Sequence, residues 1–239
     1  MSQFPYQSQQ QPAWIDGSTA ETQIRVRAFF RSVYGWMFGG LLLTTLAALW
    51  VVSSAPMQQL ILGNRAMPWA LFLGEIGIVA FLSFRVTKMS AAAAASAFLV
   101  FSLLNGLSLS VIFFVYTSAS LVQAFASAAA MFGAMAVYGS ITKRDLTSWG
   151  HFFFMGLIGI VICSLLNIFL HSSALSFTVS IIGIFVFLGL TAYDNQKLKT
   201  MALVNGPTEN FAVMGALTLY LDFINLFLFM LRIFGSRRN

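Results

Sequence analysis

The chain has 239 residues, of which 59% are hydrophobic, 15% aromatic and only 8% charged, and its mean hydropathy is +0.84. A soluble domain carries about 25% charged residues. Seven acidic and thirteen basic side chains cannot coat a globular surface, which excludes a soluble enzyme, and this hydrophobicity excludes a disordered chain. What remains is an all-α polytopic membrane protein. The net charge of +6 does not point to nucleic acid, because the basic residues sit in short hydrophilic gaps and tails rather than on one amphipathic face.

Residues 1–31 are rich in Gln, Pro and Ser (Gln9, Gln10, Gln11, Pro12) and then turn basic at Arg25, Arg27 and Arg31. They read as a disordered cytosolic tail, with 32–239 as the transmembrane domain. The first thirty residues lack an apolar stretch of signal-peptide type, so no cleaved leader is expected. Spanning helices of ~20 apolar residues are predicted near 32–53, 66–86, 91–116, 119–141, 150–171, 175–194 and 211–234. The third is long enough to be split or tilted. The gaps between them carry turn and charge signals, among them Pro56 to Arg65, Lys143-Arg144-Asp145 and Gly206-Pro207. Ala126, Ala130 and Ala134, and the cluster Gly35, Gly39 and Gly40, are expected to let helices approach closely. The single cysteine, Cys163, lies in an apolar run and has no partner for an intrachain disulfide.

Seven crossings would put Arg25, Arg27, Arg31, Arg85, Lys88, Lys143, Arg144, Lys197 and Lys199 on the N-terminal side. Arg65, Arg232, Arg237 and Arg238 fall opposite if the last segment crosses. The excess predicts a cytosolic N-terminus. The C-terminal arginines conflict with it, so the last segment either crosses fully, which is the favoured reading, or re-enters and returns.

Acidic residues are few enough to take singly. Asp16, Glu21, Asp145 and Glu209 lie in the tail or in loops, leaving Glu75, Asp194 and Asp222 within or at the ends of apolar helices. An Asp at a helix centre costs roughly 3 kcal/mol to insert, so such residues face the bundle interior and are functional candidates. Thr218, Asp222, Asn225 and Arg232 follow one another at spacings of 4, 3 and 7, one polar stripe on an otherwise apolar helix. The stripe lines a polar path, or Asp222 makes one isolated interhelical hydrogen bond. Asp194 stands where the sixth span meets the cytosol; it is a site residue or an interfacial anchor. Arg85, at the same depth at the end of the second span, pairs with Asp194 or simply marks the cytosolic side. Glu75 lies mid-span, ten residues from Arg85 and about 80° away round the helix, and is expected to be interior.

If Asp194 and Asp222 meet, the two carboxylates titrate as one unit and share a proton. Deprotonated, the pair attracts a hard cation such as calcium through oxygen ligands; protonated, it closes on itself. Asp222 lies about 16 Å into its predicted span and Asp194 at the end of its own. The two meet only if the last helix starts later or the sixth span continues into the cytosol.

The segments Val33–Met37, Met131–Met135, Thr142–Leu146, Leu190–Lys199, Gly215–Leu228 and Leu231–Gly235 carry a resemblance covering nearly everything after the tail. The chain resembles the transmembrane Bax-inhibitor-1 motif family, in its bacterial inner-membrane branch. The resemblance implies a seven-helix fold with the last helix central and a pH-sensitive calcium leak. It also implies an aspartate pair, here Asp194 and Asp222, as the proton and cation sensor, with Arg85 as the candidate latch to Asp194. Thr218, Asn225 and Glu75 are then expected to line the pathway, with calcium as permeant ligand and no resident cofactor. The same family implies roles in cell-death suppression and, in bacteria, in membrane-protein quality control through a membrane protease, for which the N-terminal tail could be a handle.

An enzyme is the rival class. Tyr193-Asp194 matches one half of an intramembrane aspartyl protease site, but Leu219-Tyr220-Leu221-Asp222 lacks the Gly-x-Gly-Asp of the other half. Gly106-Leu107-Ser108-Leu109-Ser110 fails the Gly-x-Ser-x-Gly of a serine nucleophile at its last position. One Cys with His151 and His171 far apart makes no zinc site. The expected partners are the lipid bilayer, calcium and protons.

Overall fold

A computed structural model of the chain describes residues 20–204, 206 and 208–238. Among these the helices are α1 (Ala20–Ser53), α2 (Ala55–Leu62), α3 (Met67–Arg85), α4 (Ala91–Leu109), α5 (Ile112–Val115), α6 (Ser118–Ile141), α7 (Thr147–Leu170), α8 (Ser173–Val204) and α9 (Glu209–Phe234). Seven segments are long and apolar enough to cross a bilayer, with α3 continuing through a short turn to Lys88 and α4 joined to α5. Within each helix the backbone hydrogen bonds are made along the chain's own turns, as hydrocarbon requires.

The sequence-predicted spans coincide with these helices, with three differences. The tail boundary at residue 31 falls inside α1, which starts at Ala20; residues 1–19 lie outside the described residues. The gap after the first span holds α2, with Pro56 in its first turn, where a missing N–H costs nothing. The sixth span does not stop near 194, because α8 continues to Val204. Its polar last turns are held by side chains. Gln196 accepts from the Leu146 amide at 2.8 Å and donates to the Arg144 carbonyl at 2.7 Å. Lys199 donates to the Ser140 carbonyl at 2.8 Å, a cation on the last turn of α6. In the same connection Asp145 accepts from the Thr147 amide at 2.9 Å and its hydroxyl at 2.6 Å, which holds its carboxyl below the usual range.

α9 is the axis. Of its apolar stretch 72% is buried, against 11% for α3 and 6% for α7. It packs on α1, α4, α6 and α8, whereas α3 packs chiefly on α4 and α7 chiefly on α8. The expected central last helix is therefore present, and it runs without a break from Glu209 to Phe234, long enough to cross. Its extension pairs with the α5–α6 connection at the far end: Thr117 N donates to Ser236 O at 3.1 Å, Arg238 N to Val115 O at 2.9 Å, and Ser236 N to Ser120 Oγ at 2.9 Å.

The small-residue contacts differ from those expected. Ala126, Ala130 and Ala134 are exposed, and α6 packs through Ala124, Ala128, Phe132, Ala136 and Gly139. Two residues turn a helix by about 200°, so the alanine row faces outward. Of the glycine cluster, only Gly40 meets a neighbour, α4, through Phe98 and Ser102. At Gly139 a Cβ would run into the Ala192 carbonyl of α8, a backbone collision that no rotamer relieves. Gly139→Leu should destabilise the protein by about 3 kcal/mol or more, beyond ordinary overpacking. Thermal unfolding in detergent checks it.

Candidate functional site

Asp194 lies ten residues before the end of α8, and Asp222 thirteen residues after the start of α9. At 1.5 Å per residue these are depths of about 15 Å and 20 Å from the same end of two helices packed on each other. The extension of α8 thus supplies the condition under which the two meet. Their carboxyl groups stand within side-chain hydrogen-bonding reach of each other. Asp222 is 5% exposed and Asp194 9%. Asp222 Oδ2 is buried with no hydrogen-bond partner. Two ionised carboxylates offer each other no donor, so such an oxygen calls for a proton or a cation.

The pair opens on a cavity of about 710 Å³, lined also by Ser83 of α3, His151 of α7, Lys197, Thr218 and Asn225. The cavity exists because α3 and α7 pack on α4 and α8 and leave a gap in front of α9. It shares Leu157, Val161, Phe187 and Asn225 with a second cavity of about 580 Å³. The second shares Asn167, Ser176 and Arg232 with a third of about 920 Å³, lined by His171, Arg237 and Tyr116 near the far end. The polar stripe read from the sequence, Thr218, Asp222, Asn225 and Arg232, runs along this series. Thr218 Oγ1 donates to Met214 O at 3.1 Å and Asn225 Nδ2 to Leu221 O at 2.8 Å, so the hydroxyl lone pairs and the amide oxygen are not consumed by these bonds.

A family model described as Inhibitor of apoptosis-promoting Bax1 matches residues 26–239. The chain belongs to the Bax inhibitor-1 family. Within the family it is 47% identical over 226 residues to the inner membrane protein YbhL of Escherichia coli K12, covering 92% of this chain and 97% of that one. It is 42% identical over 217 residues to an uncharacterized protein of Rickettsia prowazekii, covering 90% and 92%. An uncharacterized protein of Deinococcus radiodurans is 40% identical over 233 residues, covering 96% and 98%.

Two residues expected at the site of this Bax inhibitor-1 family member lie elsewhere. Arg85 is exposed at the end of α3, and the ion pair found among the described residues is Arg25–Glu21, not Arg85–Asp194. The cation that Asp194 faces is the ammonium of Lys197, one turn along α8, which also lies over the Tyr193 ring at 5.8 Å. Glu75 does not line the cavity of the aspartates. It accepts from Asn105 Nδ2 at 3.2 Å and from the Ser108 hydroxyl. Asn105 Oδ1 accepts from Tyr220 OH at 2.9 Å, and that hydroxyl lies 2.6 Å from Thr44 Oγ1. This network joins α1, α3, α4 and α9 behind the aspartates.

Sequence reasoning missed Lys197 and His151 as cavity residues. The signal for Lys197 was its i+3 position after Asp194 on a helix that continues. For His151 the neighbour Gly150 is the clue: a Cβ there would strike the Tyr193 ring, so α7 and α8 touch one residue before Asp194.

Proposed function

We propose that this protein is a pH-sensitive calcium leak, a cation pathway gated by the Asp194–Asp222 pair. The observation that carries the reading is a buried, unpartnered Asp222 oxygen beside a second carboxylate, at the head of cavities in series toward the opposite end of the bundle. Calcium is recognised by oxygen ligands in a flexible shell, which the two carboxylates, Thr218 and Asn225 offer. A proton and the cation compete for the same oxygens, so calcium binding is proton-linked and its affinity falls on acidification. α3 and α7, the least buried spans, are the elements that can move at least cost. Arg85, exposed at the end of α3, would latch Asp194 when α3 closes. The basic excess on the N-terminal end supports a cytosolic N-terminus.

The experiment is calcium entry into proteoliposomes holding the full chain, under an imposed gradient, at a series of pH values. Flux that changes with pH is the expected result. No flux at any pH sinks the leak and leaves a membrane interaction protein acting in quality control, with residues 1–19 as the candidate arm for a membrane protease.

A further inference from the structure

A groove of about 910 Å³ runs between α1 and α6 with the last turns of α8 as its floor. It shares no lining residue with the cavities of the aspartate site. On α1 its lining extends from Thr22 to Tyr34, about 18 Å of helix. Its walls are apolar, built from Phe30, Phe132, Ala136 and Leu203 among others, and no acidic side chain lines it. Two cations do: Arg27, exposed and without a carboxylate partner among the described residues, and Lys199. Lys199 gives one N–H to the Ser140 carbonyl in the last turn of α6, which fixes the ammonium at the level where α6 leaves the bilayer and keeps its other donors free. Below the cations the Tyr34 hydroxyl is turned inward onto Asn195, so the deeper wall presents only hydrocarbon. α1 and α8, with 34 and 32 residues, are about 50 Å long and outreach a hydrocarbon core of ~30 Å. The upper groove therefore stands at headgroup height.

We infer that the groove between α1 and α6 is a binding site for an anionic phospholipid of the leaflet on the N-terminal side, its phosphate held between Arg27 and Lys199 and an acyl chain laid along Phe30, Phe132 and Ala136. Charge complementarity selects this occupant. A zwitterionic lipid brings its own cation to two cations, whereas an anionic headgroup brings none, and basic pockets between helices at the membrane surface take such headgroups.

The test is native mass spectrometry of the full chain released from micelles containing equal phosphatidylglycerol and phosphatidylcholine. The wild type should retain the glycerol lipid over the choline lipid by about tenfold, and Arg27→Gln with Lys199→Gln should bring the two to parity. Gly133→Phe should lose both lipids with the fold intact, because a Cβ at Gly133 meets nothing within 4 Å and the ring would fill the groove. Equal retention by the wild type would overturn the site. So would an equal loss caused by Lys143→Gln with Arg144→Gln, which lie at the same end but outside the groove, since that would mean charge attraction without a pocket. Retention that doubles when residues 1–19 are removed, with no headgroup preference, would make the tail the occupant and also overturn it.

Discussion

Replacing both Asp194 and Asp222 by Asn should leave a folded seven-span protein whose calcium flux no longer responds to pH. The substitution keeps shape and hydrogen-bonding capacity and removes only the titrating charges. A one-proton step changes a linked quantity by at most about tenfold per pH unit; the double variant should stay flat within about twofold over the same range. Its basal flux should fall, because an amide oxygen binds a hard cation less well than a carboxylate. Stability should not fall with it. Asp222 already keeps a buried oxygen without a partner, and replacing buried charge by a neutral group is often neutral or stabilising. Thermal unfolding in detergent alongside the flux assay separates loss of the sensor from loss of the fold. A double variant that follows pH as the wild type does would remove the pair from the mechanism.

Tyr220 carries the second large effect, and it is structural. Its side chain is fully buried, stacks edge-on against Phe98 and Phe101 at 5.8 and 5.6 Å, and its hydroxyl bridges Thr44 and Asn105. Tyr220→Ala removes a buried ring at the axis of the bundle and should cost roughly 3–5 kcal/mol. Tyr220→Phe keeps the ring and leaves Asn105 Oδ1 without its donor, for about 1–3 kcal/mol. The order of the two, read as melting temperatures in one detergent, tests whether packing or the polar network holds α9 to α1 and α4. Equal losses would mean that the hydroxyl does most of the holding.

The parts of this fold that could be read from the sequence are those set by the solvent. A run of apolar residues must span, and an acid inside one must have a reason to be there, so the spans and the burial of Asp194 and Asp222 follow from local composition. What could not be read depends on neighbours. The polar stretch Gln196–Thr200 ends a hydropathy peak, yet it stays helical because Gln196 and Lys199 cap the α6–α7 connection and Leu198 is buried. That persistence places Asp194 well inside α8. α6 has alanine on both sides, so spacing could not choose its packing face. Glu75 sits at the right depth for a pathway residue; only the pairing of α3 with α4 reveals that Asn105 and Ser108 claim it.

The position of α9 has a consequence for how the protein is made. A ribosome delivers the helices in order, and the one that touches α1, α4, α6 and α8 arrives last. Until then those faces have no occupant but lipid, and the network from Thr44 to Asn105 lacks the Tyr220 hydroxyl that joins it. The bundle therefore cannot be finished from its N-terminus forward, as domains usually are. Nascent chains halted before residue 209 should remain protease-sensitive in the membrane, and completion should come in one late, cooperative step.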